Sequence, residues 1–123
     1  MQVSCGVDII EIDRVKKSIE NTDRFVKDIF TEKEIEYCES KRIAKYQHYA
    51  ARFAAKEATF KAISRFLKNK SDISWKNIQV VNDENGKPNV EFVDVDFPQI
   101  TSIDISISHS KDNAVAFVTV LYK

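Results

Sequence analysis

The sequence predicts an α+β fold, an antiparallel sheet packed on one long helix and shorter helices, forming one domain over residues 1–123. Two-residue alternation at both ends of the chain marks strands, and an alanine-rich run between them marks the long helix. Two clusters of turn residues, Asp83-Glu84-Asn85-Gly86-Lys87-Pro88 and Ser110-Lys111-Asp112-Asn113, each join a pair of strands.

Gln2 to Ile10 opens the chain as a strand. Val3, Cys5, Val7 and Ile9 share one face and Ser4, Gly6, Asp8 and Ile10 the other, which puts Asp8 opposite the apolar row near the strand's end. Asp13 to Ile19 and Asp23 to Phe30 read as two short helices broken around Asn21-Thr22. Thr31 with Glu34 has capping-box spacing and opens a third. The long helix runs from about Arg42 to Leu67, and strands follow at Ile73 to Val81, Asn89 to Val95, Ile103 to His109 and Ala114 to Leu121.

With 123 residues, 43% hydrophobic and 31% charged, the chain has the length to bury one core and none to spare for a second. Cys5 and Cys38 have neither metal-ligand nor disulfide-framework spacing, and the N-terminus lacks a charged-then-apolar signal region. A reducing, cytoplasmic protein with free thiols is expected. No apolar stretch is long enough to span a membrane, and no membrane partner is expected. The net charge is +0, yet Lys41 to Ser71 holds nine basic residues against the single acid Glu57, a formal +8. That asymmetry points to a surface for phosphate, a nucleotide or an acidic partner. Nucleic acid is the weaker reading, because the whole chain is not basic and no nucleic-acid-binding signature is present.

Within that segment the run Phe53-Ala54-Ala55-Lys56-Glu57-Ala58-Thr59-Phe60-Lys61 stands out. Glu57 and Lys61 project within roughly 40° of each other on a helix. They fall in the arc of Ile43, Tyr46, Ala50, Phe53, Ala54 and Phe60, the side expected to face the protein. Charges held there need a partner, a metal or a ligand. The plain alternative is an intrahelical ion pair worth a few tenths of a kcal/mol. On the strand ending at His109, Ile103, Ile105 and Ile107 share the histidine's face, so its side chain ends an apolar row where it can reach a site or simply cap the core. His48, in the long helix, offers less reason to be singled out.

Taken together, Gly6-Val7-Asp8-Ile9 with Arg14, Arg52-Phe53-Ala54-Ala55-Lys56-Glu57-Ala58 with Lys61-Ala62, Asn85-Gly86-Lys87-Pro88, and Ser106-Ile107-Ser108-His109-Ser110 resemble the holo-acyl-carrier-protein synthases, the small 4′-phosphopantetheinyl transferases. The resemblance covers essentially the whole chain in order. It implies transfer of the phosphopantetheine arm of coenzyme A to a serine of an apo-acyl carrier protein, leaving adenosine 3′,5′-bisphosphate, as a step in fatty acid biosynthesis. It also implies Mg²⁺ held by Asp8 and Glu57. Glu57 would take the serine proton, directly or through a metal-bound water, and Lys61 would stabilise or protonate the leaving phosphate. Arg52, His109 and the Asn85-Gly86-Lys87-Pro88 turn would contact coenzyme A. Arg14, with Lys16, Lys17, Arg24 and Lys27, would dock the acidic helix of the carrier protein, and the whole would be a homotrimer with shared sites.

One departure from the family pattern is plain. Where members commonly carry a Gly-Thr-Gly turn after the Lys-Ala pair, this chain reads Ile63-Ser64-Arg65-Phe66-Leu67-Lys68, so the helix is expected to continue and the pantetheine arm to be seated differently. Two other classes stay open on the residues alone. One is a non-catalytic module binding an acidic carrier or a nucleotide; the other is an oligomerisation domain in which Glu57 and Lys61 pair across an interface.

Overall fold

The computed structural model describes every residue from Met1 to Lys123. In chain order it contains β1 (Gln2–Glu11), α1 (Ile12–Asn21), α2 (Arg24–Ile29), α3 (Glu32–Glu39), α4 (Lys45–Ile63), β2 (Ile78–Asn82), β3 (Pro88–Phe92), β4 (Ile100–His109) and β5 (Asn113–Tyr122). The C-terminal strand β5 is central: it pairs antiparallel with β1 on one side and β4 on the other. β2 and β3 form a separate antiparallel hairpin. Helix α4 packs across the three-stranded sheet, with α1 to α3 covering its other flank. No helix is long and apolar enough to cross a membrane.

The α+β class and the antiparallel pairing are as expected from the sequence. Three elements are shorter than expected, and one of them is the strand expected from Asn89 to Val95, which ends at Phe92, just before Asp94 turns to φ +61°. Arg42–Ala44 and Ser64–Phe66 are 3-10 turns flanking α4, so the helix ends near Ile63 even without a glycine. The strand expected from Ile73 begins only at Ile78. The Asn77 side chain accepts from the Ser74 N–H at 2.8 Å, and that of Asp72 accepts from the Asn69 N–H at 3.0 Å, two local caps that fold 3-10 turns instead of extended backbone.

The faces of β1 are assigned by packing and not by hydrophobicity. Its small and polar row, Ser4, Gly6, Asp8 and Ile10, lies against α4, while Val3, Val7 and Ile9 are 61%, 53% and 65% exposed, beside Phe117 of β5 at 45%. Gly6 explains the choice: a Cβ there would strike the Ala58 carbonyl oxygen and stand 2.9 Å from Ala62 N, so strand and helix touch backbone to backbone. Ser4 Oγ donates to Ala62 O at 2.7 Å, one residue pair along the same contact. Ala54, Ala55, Ala58 and Ala62 are fully buried under the sheet, their small side chains permitting the close approach.

Helix α4 is buried along a second stripe as well, formed by Arg52, Lys56, Thr59 and Ile63. Lys56 is the notable member, because neither it nor its partner Glu34 has any exposed side-chain surface. Lys56 Nζ lies 2.7 Å from Glu34 Oε1 and donates to the carbonyls of Ile29, Trp75 and Ile78 at 2.9, 3.0 and 2.7 Å. Glu34 Oε1 also accepts from Thr31 N–H at 2.9 Å, closing the expected capping box, and Oε2 accepts from Val80 N–H at 2.8 Å. One buried pair thus ties α2, α3, α4 and β2 together. Burial pushes the Lys56 ammonium below its ordinary range, against the opposing pull of Glu34.

Candidate active site

Asp8 on β1 and Glu57 on α4 meet at a cavity of about 480 Å³ whose walls also carry Arg14, Val15, Phe25 and Phe53. The Gly6 contact sets this geometry. By seating β1 directly on α4, it brings the next inward residue of the strand, Asp8, beside the helix turn that carries Glu57 and Lys61. Lys61 Nζ lies 2.9 Å from Asp8 Oδ1 and donates to Val7 O at 3.0 Å. The intrahelical Glu57 and Lys61 pair, the plain alternative on sequence, is therefore not formed; the lysine is drawn to the strand, where an acid and a carbonyl together replace one acid.

Asp8 Oδ2 is buried and accepts no hydrogen bond. Glu57, half-buried, has its carboxyl held above the ordinary carboxylate range by burial first and then by the charge of Asp8, with Lys61 working the other way. Two carboxylates on one cavity wall, Glu57 with its proton affinity raised and Asp8 with an unsatisfied buried oxygen, form an acidic pair suited to a hard divalent cation. The donor set fits magnesium.

Glu57 also borders a second cavity, about 440 Å³, lined by Phe60, Ile73, Trp75 and Ile78 with Asp28 and Lys70 at its edge. It thus stands between a polar cavity on the β1 side and a more apolar one on the β2 side.

The remaining sequence-expected residues lie apart from this centre. Arg52 is more than a turn before Glu57, about 140° around the helix. It is buried with its guanidinium 3.9 Å above the Tyr37 ring, and Nη2 donates to Asn82 Oδ1 at 2.7 Å. Asn82 in turn donates to Gly86 O at 3.2 Å, so Arg52 is tied to the hairpin turn through a residue the sequence reading passed over. Gly86 has φ +83°, which is why a glycine stands there; a Cβ would meet nothing within 4 Å. Asn85 donates its N–H to Asp83 Oδ1, and Pro88 opens β3. Lys87 reaches Asp104 Oδ1 at 3.0 Å and Ile105 O at 3.2 Å on β4. His109 ends β4 on the sheet's inner side, exposed. His48, set aside on sequence, packs edge-on against Tyr37 with ring centroids 5.5 Å apart. Its basicity is lowered by burial and by the neighbouring Lys41, Arg52 and His109.

Two groups therefore exist on one chain: Asp8, Glu57, Lys61 and Arg14 around the acidic cavity, and Arg52, Tyr37, Asn82, His48 and the hairpin turn on the far side of α4. The basic segment is not one surface. Lys56 is sealed, Arg52 is buried, Lys45 pairs with Glu39 at 3.3 Å and Lys61 with Asp8. The arc drawn from the sequence is also out of phase at its start, since Ile43 is 98% exposed. Arg24 points into solvent, 3.9 Å from Asp28, and does not line the acidic cavity.

An acidic pair thus stands beside a lysine at a strand and helix contact, with basic and aromatic groups one helix width away. Residues 4–118 match the model of the 4′-phosphopantetheinyl transferase superfamily. The holo-[acyl-carrier-protein] synthase of Ruminiclostridium cellulolyticum is 43% identical, covering 98% of this chain and 92% of that protein. That of Clostridium tetani is 42% identical, covering 95% and 94%. The crystal structure of a holo-(acyl-carrier-protein) synthase from Bacillus anthracis in complex with CoA (3′,5′-ADP) superposes with TM-score 0.80 at 35% identity, covering 98% of this chain and 96% of that one. The Helicobacter pylori enzyme in complex with coenzyme A gives TM-score 0.81 at 28% identity, covering 95% and 99%. The chain belongs to the 4′-phosphopantetheinyl transferase superfamily.

Proposed function

We propose that this protein is a holo-acyl-carrier-protein synthase, moving the 4′-phosphopantetheine arm of coenzyme A onto a serine of an apo-acyl carrier protein. The observation that carries the reading is the acidic pair Asp8 and Glu57 with the orphaned Asp8 Oδ2, placed between two cavities. The carrier serine would enter from the side of Arg14 and Phe25, and the arm would lie along Phe60 and Trp75 on the other. In that arrangement the serine oxygen forms a bond to phosphorus as the bond to the adenosine 3′,5′-bisphosphate oxygen breaks on the opposite side.

Asp8 and Glu57 would hold Mg²⁺. The molecule gathers no set of three or more His, Cys, Asp or Glu side chains with metal-ligand spacing, so phosphate oxygens and water would complete the coordination. When bound, the ion neutralises charge building on the phosphoryl oxygens. Glu57, with its raised proton affinity, takes the serine proton more readily than an ordinary carboxylate. Lys61 stabilises the departing phosphate. Arg52, His109 and the Asn85 to Pro88 turn bind the nucleotide end. Arg14 and Arg24 steer the acidic carrier protein, and a reducing cytoplasm suits free Cys5 and Cys38.

The separation of the nucleotide group from the acidic cavity supports a shared site. Val3, Val7, Ile9 and Phe117 form an uncovered apolar face of the kind a neighbouring copy would cover. In a homotrimer the His109 end of one chain would complete the Glu57 cavity of the next. Incubation with coenzyme A, Mg²⁺ and an apo carrier should add one phosphopantetheine by mass, and chelation should stop it; an unchanged carrier mass overturns the activity. Mixed and reassembled Glu57→Gln and His109→Ala chains should recover transfer, and no recovery means the site is complete within one chain.

A further inference from the structure

The ammonium of Lys61 occupies a place that the rest of the cluster does not need it to occupy. Its helix neighbour Glu57 is one turn away, yet Nζ binds Asp8 Oδ1 at 2.9 Å and Val7 O at 3.0 Å. A carboxylate oxygen and a main-chain carbonyl are the donor types that hold hard cations. Lys61 therefore sits as a cation in an oxygen cradle, consuming one of the two oxygens of the acid expected to bind the metal. The other oxygen, Asp8 Oδ2, is left buried and unpartnered.

We propose that Lys61 is the resident cation of this acidic pair and that it links metal loading to arrival of the coenzyme A pyrophosphate. This rests on the metal site and transferase reading above. In the free chain, Asp8 and Glu57 carry two negative charges against one on Lys61, and Arg14 adds a further positive group on the same cavity wall while Glu11 offsets it. A divalent ion entering alone meets a half-neutralised pair and a repelling ammonium only one carboxylate away. The pyrophosphate changes both conditions, adding negative charge for the metal and new acceptors for the ammonium. Lys61 then exchanges Asp8 Oδ1 and Val7 O for phosphate oxygens, which delivers it to the departing group as both Asp8 oxygens become free. The half-exposed side chain, reaching the cradle from the helix's outer edge, has the freedom for that exchange.

The test uses Mn²⁺ as the probe, its binding read by electron paramagnetic resonance with and without coenzyme A, and no turnover is involved. Lys61→Met should bind Mn²⁺ roughly tenfold more tightly than wild type in the absence of coenzyme A, because a neighbouring positive charge has gone. The further tightening brought by coenzyme A should shrink by a similar factor. Lys61→Arg, which keeps the charge, should stay close to wild type in both states. If Lys61→Met melts early, Lys61→Gln gives the same neutral comparison. Equal or weaker Mn²⁺ binding by the neutral variants overturns the resident-cation role alone. Wild-type protein that binds no Mn²⁺ even with coenzyme A present overturns the metal site itself.

Discussion

Glu34 with Lys56, and Asp8 and Glu57 with Lys61, are two acid and lysine groups on the same stretch of α4, and Lys56 and Glu57 are neighbours in sequence. They differ in how completely their charges are answered. The Glu34 and Lys56 side chains are 0% exposed, and every acceptor around the ammonium is a protein oxygen at hydrogen-bond distance. The second group faces a cavity, leaves Asp8 Oδ2 without a partner and pushes the Glu57 proton affinity up. A charge network satisfied on all sides can hold elements in place but has no valence left for a substrate. One left short of a cation is where chemistry can enter.

The sharpest way to break the comparison is to neutralise the acids of the open group. Asp8→Asn or Glu57→Gln should lower kcat/KM by a hundredfold or more, on the order of 3 kcal/mol of transition-state stabilisation, with the fold intact. Steady-state transfer kinetics beside a thermal melt check both halves; full activity at low Mg²⁺ in either variant would remove these residues from the site. The sealed group should behave in the opposite sense. Lys56→Met strands the Glu34 carboxylate and should cost about 3 to 5 kcal/mol of stability. Lys56→Met with Glu34→Gln should recover much of that loss, and denaturant titration of the single and double variants decides it. Per folded molecule, transfer should change far less than in Asp8→Asn.

Gly6→Ala tests the contact that sets one group beside the other. Its new Cβ has no room against Ala58 and Ala62 backbone, so strand and helix must part, at a cost of roughly 1 to 3 kcal/mol. Activity should fall more than stability suggests, since Asp8 rides on the displaced strand.

The smallest effect is on pH. Because the Glu57 carboxyl is raised in the folded chain, first by burial, folding binds its proton more tightly than the unfolded chain does. Its contribution to stability is fully present below the unfolded pKa and is lost as pH rises through the folded one. In metal-free buffer, Glu57→Gln should therefore gain on wild type as pH is raised from about 4 to about 8, modestly because the group is part-exposed. Melting temperatures that keep a constant difference across that range would contradict the shift.

Much of this was legible beforehand, and the exceptions have a common cause. Thr31 with Glu34 announced a capping box, and the box is present, because a cap is made by side chains and backbone three residues apart. Nothing local announces that Glu34 also answers Lys56, since their meeting depends on how α3 lies on α4. Asp8, Arg14 and Glu57 could be named from motifs, and they do line one cavity. That Lys61 turns to Asp8 and not to Glu57 needed the position of β1.

The sequence by itself determined the antiparallel hairpins, the capped start of α3, the long alanine-rich helix and the residue types that belong to the chemistry. All of these follow from short-range periodicity, turn geometry and local hydrogen bonds. Only the tertiary structure decided which face of β1 is inside, which lysine is sealed and which acid is left with an unanswered oxygen. The apolar row of β1 is outside because Gly6 on the other row permits a backbone contact that no side chain would fit, and exclusion of that kind is a property of two surfaces meeting.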